Sequence, residues 1–307
     1  MNSLAGSVRF SIIITSHNQK GFICGAVNSA LAVRSDAAEV IVVDDASVDG
    51  SQEILCGYGN AIRLAPLPEN RGAAAARNHG VSMANGDYLV FLDGDDALAP
   101  SALKIYERII EKEQPKLILA ALQSFTGAFP MGELCRQPRE IQIAEYQDYM
   151  QKDRTFRPSA TALVIERRTL LRVKGWSVDF PVMEDVDLLI KLGDASPAVQ
   201  ILSPHTAFYR LHPGNTMNNI TRYLEQMRRL LDKEHVGNYP GGRERRFERY
   251  ALMGGHILAF VKRAIRSGLY REALSLAAVG SPMVLASIVR KCNVALTGRR
   301  PCEVLTV

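Results

Sequence analysis

The chain has 307 residues, 47% of them hydrophobic and 22% charged, with a formal net charge of +5. That is enough apolar material for one large domain plus an appendage, or for two small domains, and no repeat or low-complexity tract interrupts it. The five cysteines (Cys24, Cys56, Cys135, Cys292 and Cys302) are odd in number and scattered, with no Cys-x-x-Cys pair. They speak against a zinc site or a disulfide framework and for a reducing compartment.

In chain order, residues 9–15 read as a buried strand that runs into Ser16, His17 and Asn18. An apolar-periodic segment from Phe22 to Val33 follows and predicts a helix. Glu39 to Val43 is a second strand, ending in Asp44 and Asp45, with Asp49 a few residues on. Ile62 to Ala65 is a short third strand. Asn70-Arg71-Gly72 then leads into the alanine-rich, strongly helical stretch Ala73 to Met83. Asp87 to Leu92 is a fourth strand. Strands alternating with helices predict a parallel sheet with both faces covered. Ligands of such sheets bind beyond the carboxyl ends of the strands, where every one of these polar clusters lies.

The tip of the fourth strand carries the most chemistry. Asp93, Asp95 and Asp96 follow an apolar run without a break. Three carboxylates so close repel one another unless a positive group sits among them. A hard divalent cation takes oxygen ligands and also grips phosphate oxygens, so Asp-x-Asp at a strand end suggests a metal-bridged nucleoside diphosphate. The alternative is an acidic turn capping a helix that starts near Pro100. Asp49 precedes a helical stretch and suits an N-cap. Arg71 and Arg77 either offset a diphosphate, contact a base or lie at the surface.

Further along, Lys116 to Leu122, Ala160 to Ile165 and Ala207 to Arg210 read as strands, and Pro130 to Glu140 as a mobile loop. Glu184 and Asp185 open a helical run, Val186 to Leu192. These acids, with Asp187, read equally as first-turn residues favoured by the helix dipole. Trp176, the only tryptophan, either stacks on a sugar ring or fills the core. Helices are expected over 218–235, 244–266, 270–279 and 282–296, with a Pro-Gly-Gly linker at 240–242.

Six pieces in order resemble one family: Ser11-Ile-Ile-Ile-Thr-Ser-His-Asn; Val42-Val-Asp-Asp-Ala-Ser-Val-Asp-Gly-Ser; Asn70-Arg-Gly with Ala76-Arg-Asn; Phe91-Leu-Asp-Gly-Asp-Asp; Met183-Glu-Asp-Val-Asp-Leu-Leu; and Tyr209-Arg-Leu-His. Over roughly residues 8–215 the chain resembles the GT-A glycosyltransferases of family 2, which include many polysaccharide-building enzymes. The resemblance implies an α/β fold with a Rossmann-like nucleotide-binding sheet flanked by helices. It places a catalytic domain at 1–217, with a donor-binding half at 1–125 and an acceptor half at 126–217, and leaves an all-helical C-terminal region at 218–307.

It further implies an inverting, metal-dependent transfer from a nucleotide-sugar donor, most commonly uridine-linked, to a glycan or lipid-linked acceptor. Thr15, His17, Asp45, Arg71, Arg77 and Asp93 would hold the donor. Asp95 and His212 would ligate Mn²⁺ or Mg²⁺, and Asp185 would be the base. Beside what the resemblance implies, Glu184 and Trp176 are expected to face the acceptor, Trp176 by stacking on a sugar ring. A nucleotidyltransferase of related fold needs a glycine-rich basic loop after the first strand, and residues 15–20 supply none. A nicotinamide enzyme needs Gly-x-Gly-x-x-Gly there, also missing. An inactive nucleotide-sugar-binding protein is the remaining alternative.

The charge is uneven. Residues 1–221 carry 21 Lys+Arg against 25 Asp+Glu, and residues 222–300 carry 16 against 6. The basic third has no nucleic-acid motif. It reads either as a solvated helical surface, packed on the catalytic domain or on a second copy in a homodimer, or as a contact for an anionic membrane. For the latter, Ile257, Phe260 and Val261 stand beside Lys262, Arg263 and Arg266. With no secretory leader ahead of the first strand, the expected location is cytoplasmic, peripheral on the inner face of the membrane if that contact is made.

Overall fold

The computed structural model describes residues 9–33, 37–127, 138, 140–147, 150, 159–215, 219–297 and 303–306. The elements run β1 (Phe10–Ser16), α1 (Ile23–Val33), β2 (Ala38–Asp44), α2 (Ser51–Cys56), β3 (Arg63–Pro66), α3 (Ala73–Met83), β4 (Tyr88–Asp93), β5 (Ala97–Leu98) and α4 (Ala102–Glu113). After them come β6 (Leu117–Leu119), β7 (Leu122–Phe125), β8 (Glu140–Tyr146), β9 (Leu163–Glu166), α5 (Arg167–Arg172), α6 (Glu184–Lys191), β10 (Ala198–Ser203) and β11 (Ala207–Arg210). The chain closes with α7 (Ile220–Val236), α8 (Arg246–Arg266), α9 (Tyr270–Val279), α10 (Ser281–Thr297) and β12 (Glu303–Thr306).

Nine strands form one sheet in the order β12-β8-β10-β6-β9-β4-β1-β2-β3. β1 is buried along its whole length because both faces are covered. Ile12 and Ile14 point into one apolar layer with Ile23, Ala26 and Val27 of α1. Ile13 points into the other, with Ala74 and Ala76 of α3. That alternation is the two-residue period of a strand. The expected parallel sheet holds for β1 to β4. Beyond β4 the sheet is mixed: β9 runs antiparallel to β4 and β6, and β8 runs antiparallel to β10 and β12.

Three strands, β5-β11-β7, make a second small sheet. The expected strand 116–122 is split by this arrangement. Ala120 N–H still bonds to Ala162 of the turn before β9, but the carbonyl of Ala121 accepts from Thr206 and Ala207 on the way to β11. The chain therefore leaves the large sheet at Ala120 and enters the small one. Likewise 160–162 form a short 3-10 turn ahead of β9. The expected loop at 130–140 lies almost wholly outside the described residues.

The C-terminal helices do not stand apart. Leu224, Met227, Leu230 and Leu231 of α7 share an apolar core with Leu252, Met253 and Ile257 of α8 and with Phe180, Val182, Met183, Val186 and Ile190. Asp187 of α6, fully buried, accepts from Ser177 Oγ (2.5 Å), Lys233 Nζ (2.6 Å) and Tyr239 Oη (2.6 Å). Removing one partner of such a buried charged network costs about 3–5 kcal/mol, so Asp187 is an anchor between α6 and the helices. β12 also departs from an all-helical terminus, since it pairs with the sheet edge at β8. Of the apolar residues expected beside a membrane, Ile257 and Phe260 are buried in this shared core.

Candidate active site

The parallel register aligns the strand ends. Thr15 of β1 lies opposite Asp93 of β4, and Ser16 opposite Asp44 of β2. A cleft of about 620 Å³ opens there. Its walls include Thr15, His17, Asp45, Arg77, Asp93 and Asp95 from the first half of the chain, Glu184, Asp185, Tyr209 and His212 from the second, and Tyr223 from α7.

One wall is built by backbone capture. Both carboxylate oxygens of Asp45 accept backbone N–H groups, from Arg71 (2.8 Å) and Gly72 (2.7 Å), and fix the loop that opens α3. Gly72 stands at φ 86°, in the left-handed region that a residue with a Cβ rarely adopts. His17 joins this loop to β2: Nδ1 lies 2.6 Å from the carbonyl oxygen of Asp45, and Nε2 lies 2.8 Å from Asn70 Nδ2. A carbonyl only accepts and an amide NH₂ only donates, so the imidazole carries its proton on Nδ1. Asp44 and Asp49 are structural. Asp44 accepts from Ser47 N (3.0 Å) and Ser47 Oγ (2.5 Å). Asp49 accepts from Lys20 N (2.8 Å), Ser51 N (3.0 Å) and Ser51 Oγ (2.5 Å), holding the β1–α1 loop against the start of α2. Its carboxyl pKa lies below the ordinary value: burial would raise it, but the bonds from Ser51 and Lys20 outweigh that.

The floor is an ion-paired arginine. Arg77, 3% exposed, donates Nη2 to Asp93 Oδ1 (2.6 Å) and Nη1 to Glu184 Oε1 (2.8 Å). Burial alone would lower the guanidinium's pKa, but Asp93 and then Glu184 carry it above its ordinary value. Arg77 is thus committed to two acids that would otherwise repel across the cleft. Its other face lies 4.6 Å over the ring of Trp176.

That stacking corrects the sugar-binding expectation for Trp176. The ring is 2% exposed, meets Phe91 edge-on at 5.1 Å and does not reach the cleft. Asn78 pins its backbone from both sides, Nδ2 to Trp176 O at 2.8 Å and Trp176 N to Oδ1 at 2.9 Å. Trp176 is core filling beneath Arg77. Glu184 reaches the cleft wall but its carboxylate is held by Arg77, and the exposed Arg71 is not among the lining residues.

Opposite Arg77, Asp95 Oδ2 lies 2.9 Å from His212 Nε2. Burial and then Asp93 raise the Asp95 carboxyl above its ordinary pKa, while His212 works against them. Phe22 backs the imidazole, with ring centroids 4.7 Å apart. Asp96 is turned away from this pair. It accepts from Thr161 Oγ1 (2.6 Å) and from Arg210 N (2.9 Å), and so ties the small sheet to the large one. Burial and its two acidic neighbours raise its pKa well above the ordinary value. Arg210 also donates Nε to the carbonyl of Asp95 (2.9 Å). Asn215 secures the His212 loop, accepting from His212 N (2.5 Å) and donating to the carbonyl of Arg210 (3.0 Å).

A divalent cation fits this corner. Asp95 and His212 present two ligand atoms side by side, an oxygen and an imidazole nitrogen, in a pocket whose acids exceed its free cations. A metal that grips a diphosphate needs only one or two protein ligands besides the phosphate oxygens, and imidazole suits Mn²⁺ better than Mg²⁺.

Asp185 is the second residue of α6, two positions after the left-handed residue Met183 (φ 70°) at the start of the helix. Its carboxyl is pushed up to about 7, first by burial and then by Glu184. The N–H of Val186, 2.8 Å away, and Arg77 oppose that shift, and Asp93 adds to it. A carboxyl poised near neutrality at the rim of a cleft is suited to accept a proton. The sequence patterns do not single out Tyr223, Asn215 or Phe22. Tyr223 comes from α7, beyond the last motif, and no periodicity marks it.

Known proteins agree with this architecture. The family model described as glycosyl transferase family 2 matches residues 11–170. A succinoglycan biosynthesis protein, ExoO of Rhizobium meliloti, is 35% identical over 135 residues, covering 44% of this chain and 38% of that relative; the chain thus spans well under half of its length. The Escherichia coli enzyme named UDP-Glc:alpha-D-GlcNAc-diphosphoundecaprenol beta-1,3-glucosyltransferase, WfaP, is 27% identical over 226 residues, 72% of this chain and 84% of that one. Among solved structures, S. aureus TarS in complex with UDP-GlcNAc superposes with a TM-score of 0.62 at 18% identity, covering 84% of this chain and 73% of that one. The fold is of the GT-A type, and the chain belongs to glycosyl transferase family 2.

Proposed function

We propose that the protein is an inverting, metal-assisted glycosyltransferase of polysaccharide or glycoconjugate synthesis, with a uridine-linked sugar donor and a glycan or lipid-linked acceptor. One observation carries the reading: a carboxyl with a pKa near 7, that of Asp185, borders the same cleft as the Asp95–His212 pair. The first can act as a base and the second can hold the metal of a nucleotide sugar. UDP-GlcNAc in the TarS complex and the diphosphoundecaprenol acceptor in the name of WfaP support the donor and acceptor classes.

Asp45, with His17 and the loop 70–72 that it organises, forms the end of the cleft suited to the base and ribose. Thr15 and Asp93 lie between that end and the Asp95–His212 corner, where Mn²⁺ or Mg²⁺ would take up charge on the departing diphosphate. Arg77 neutralises Asp93 and Glu184, so that acids can crowd the cleft without expelling an anionic donor. The Asp185 carboxylate accepts the proton of an acceptor hydroxyl as its oxygen attacks the anomeric carbon. The bond from that carbon to the diphosphate oxygen breaks on the opposite face, and the nucleoside diphosphate leaves.

A panel of nucleotide sugars tests this: slow metal-dependent release of the nucleotide from one of them is expected. Release of pyrophosphate from a sugar phosphate and UTP would instead mark a nucleotidyltransferase, and no turnover of any donor would mark a binding protein.

A further inference from the structure

Helices α9 and α10 each leave large apolar side chains exposed. On α9, Tyr270 and Leu274 are 67% and 74% exposed; on α10, Leu285, Ile288 and Val289 are 62%, 48% and 40% exposed. The α10 residues follow helical spacing on a single face. The opposite face of α10 is committed: Met283, Ala286, Ser287 and Arg290 are buried. The backbone of Met283 also lies against Gly254 of α8, where a Cβ would collide with it. Arg290 donates to the carbonyls of Ala251 and Met150, both at 3.1 Å. The outer face is therefore held in place, and nothing among the described residues covers it.

The charge along this stretch of chain is almost all positive. Residues 261–293 contain Lys262, Arg263, Arg266, Arg271, Arg290 and Lys291 against the single acid Glu272. Lys262, Arg266, Arg271 and Lys291 are exposed. Exposed large apolar side chains on a stretch of chain whose exposed charges are cationic match a surface that is apolar beneath an anionic layer. Among the described residues no single helix is long and apolar enough to cross a membrane. α9 and α10 reach that length and composition only together, and they are bent by 69° at their junction. Their inner faces are occupied by protein: Ala273 and Leu276 of α9 and Met283 and Ala286 of α10 are buried.

We propose that α9 and the outer face of α10 seat the protein on an anionic membrane. Tyr270, Leu274, Leu285, Ile288 and Val289 enter the boundary between headgroups and acyl chains, and Lys262, Arg266, Arg271 and Lys291 meet lipid phosphates. This differs from the surface expected at 252–266, whose Ile257 and Phe260 are buried. It stands on the exposed face and its charge, and does not depend on the reaction proposed above.

The full chain is floated with vesicles of phosphatidylcholine, with and without phosphatidylglycerol, at low and high salt. Binding is expected only to the anionic vesicles and should weaken with salt. Each of Lys262→Gln, Arg266→Gln, Arg271→Gln and Lys291→Gln should lower the partition about fivefold. The pair Leu285→Asp and Ile288→Asp should abolish it while leaving circular dichroism and nucleotide release unchanged. Equal binding to neutral vesicles, no binding at low salt, extraction only by detergent, or a dimer that Ile288→Asp dissolves would each overturn the proposal.

Discussion

Replacing Asp185 by Asn keeps the shape of the side chain and removes its ionisation. In the folded protein this carboxyl is held at about 7 by burial and by Glu184; in the unfolded chain an aspartate ionises near 3.9. Between those values the unfolded chain has lost the proton and the folded chain keeps it. Rising pH therefore penalises the folded wild type, by about 1.4 kcal/mol per pH unit. The contribution of Asp185 to stability is fully present below about pH 4 and is lost as the pH passes 7. Asn carries no such dependence. The variant should gain on the wild type steadily from about pH 4 to pH 7 and level off above, by up to about 4 kcal/mol in all. Urea unfolding of both proteins at several pH values, in EDTA and without donor, measures the difference directly. Turnover of the same variant should fall by roughly two to four orders of magnitude. A stability difference that is flat from pH 4 to pH 8 would show instead that Asp185 ionises as an ordinary carboxyl.

Other perturbations bear on the supports of the cleft. Arg77→Met leaves Asp93 and Glu184 facing each other unpaired and should cost about 3–5 kcal/mol in urea unfolding. Because Arg77 lowers the pKa of Asp185, the half-maximal pH of kcat/KM should also move upward. Asp187→Ala strips Lys233 and Tyr239 of their shared acceptor and should cost a similar about 3–5 kcal/mol; a loss near zero would mean that α6 does not need its anchor to the C-terminal helices.

Much of the fold is legible in the sequence where the apolar period is long and its ends are punctuated. β1, β2, α3 and β11 fall within a residue or two of expectation, because the buried isoleucine and valine runs of β1 and β2 stop at polar or acidic tips, the alanine run of α3 follows a glycine, and the apolar run of β11 ends at Arg210. β5 is too short to leave a pattern, and β8, β10 and β12 also pass without notice. The break between β6 and β7 depends on hydrogen bonds to Ala162 and Thr206, more than forty residues away, which no local window contains. At the site, the motifs gather Thr15, His17, Asp45, Arg77, Asp93, Asp95, Asp185 and His212 around one cleft. Motifs could not tell which of these face a ligand and which brace the wall. Arg77 is consumed by two acids, and Trp176 lies under it, because partners distant in sequence decide what a side chain has left to offer. Tyr223 enters the cleft only because α7 docks on α6.

The most direct test is calorimetric titration of UDP into the wild type and into Asp95→Ala and Asp185→Asn, with Mn²⁺ and with EDTA. The wild type and Asp185→Asn should bind UDP with Mn²⁺ and lose most affinity in EDTA, whereas Asp95→Ala should bind weakly in both. Equal UDP affinity of all three proteins in EDTA and in Mn²⁺ would contradict this.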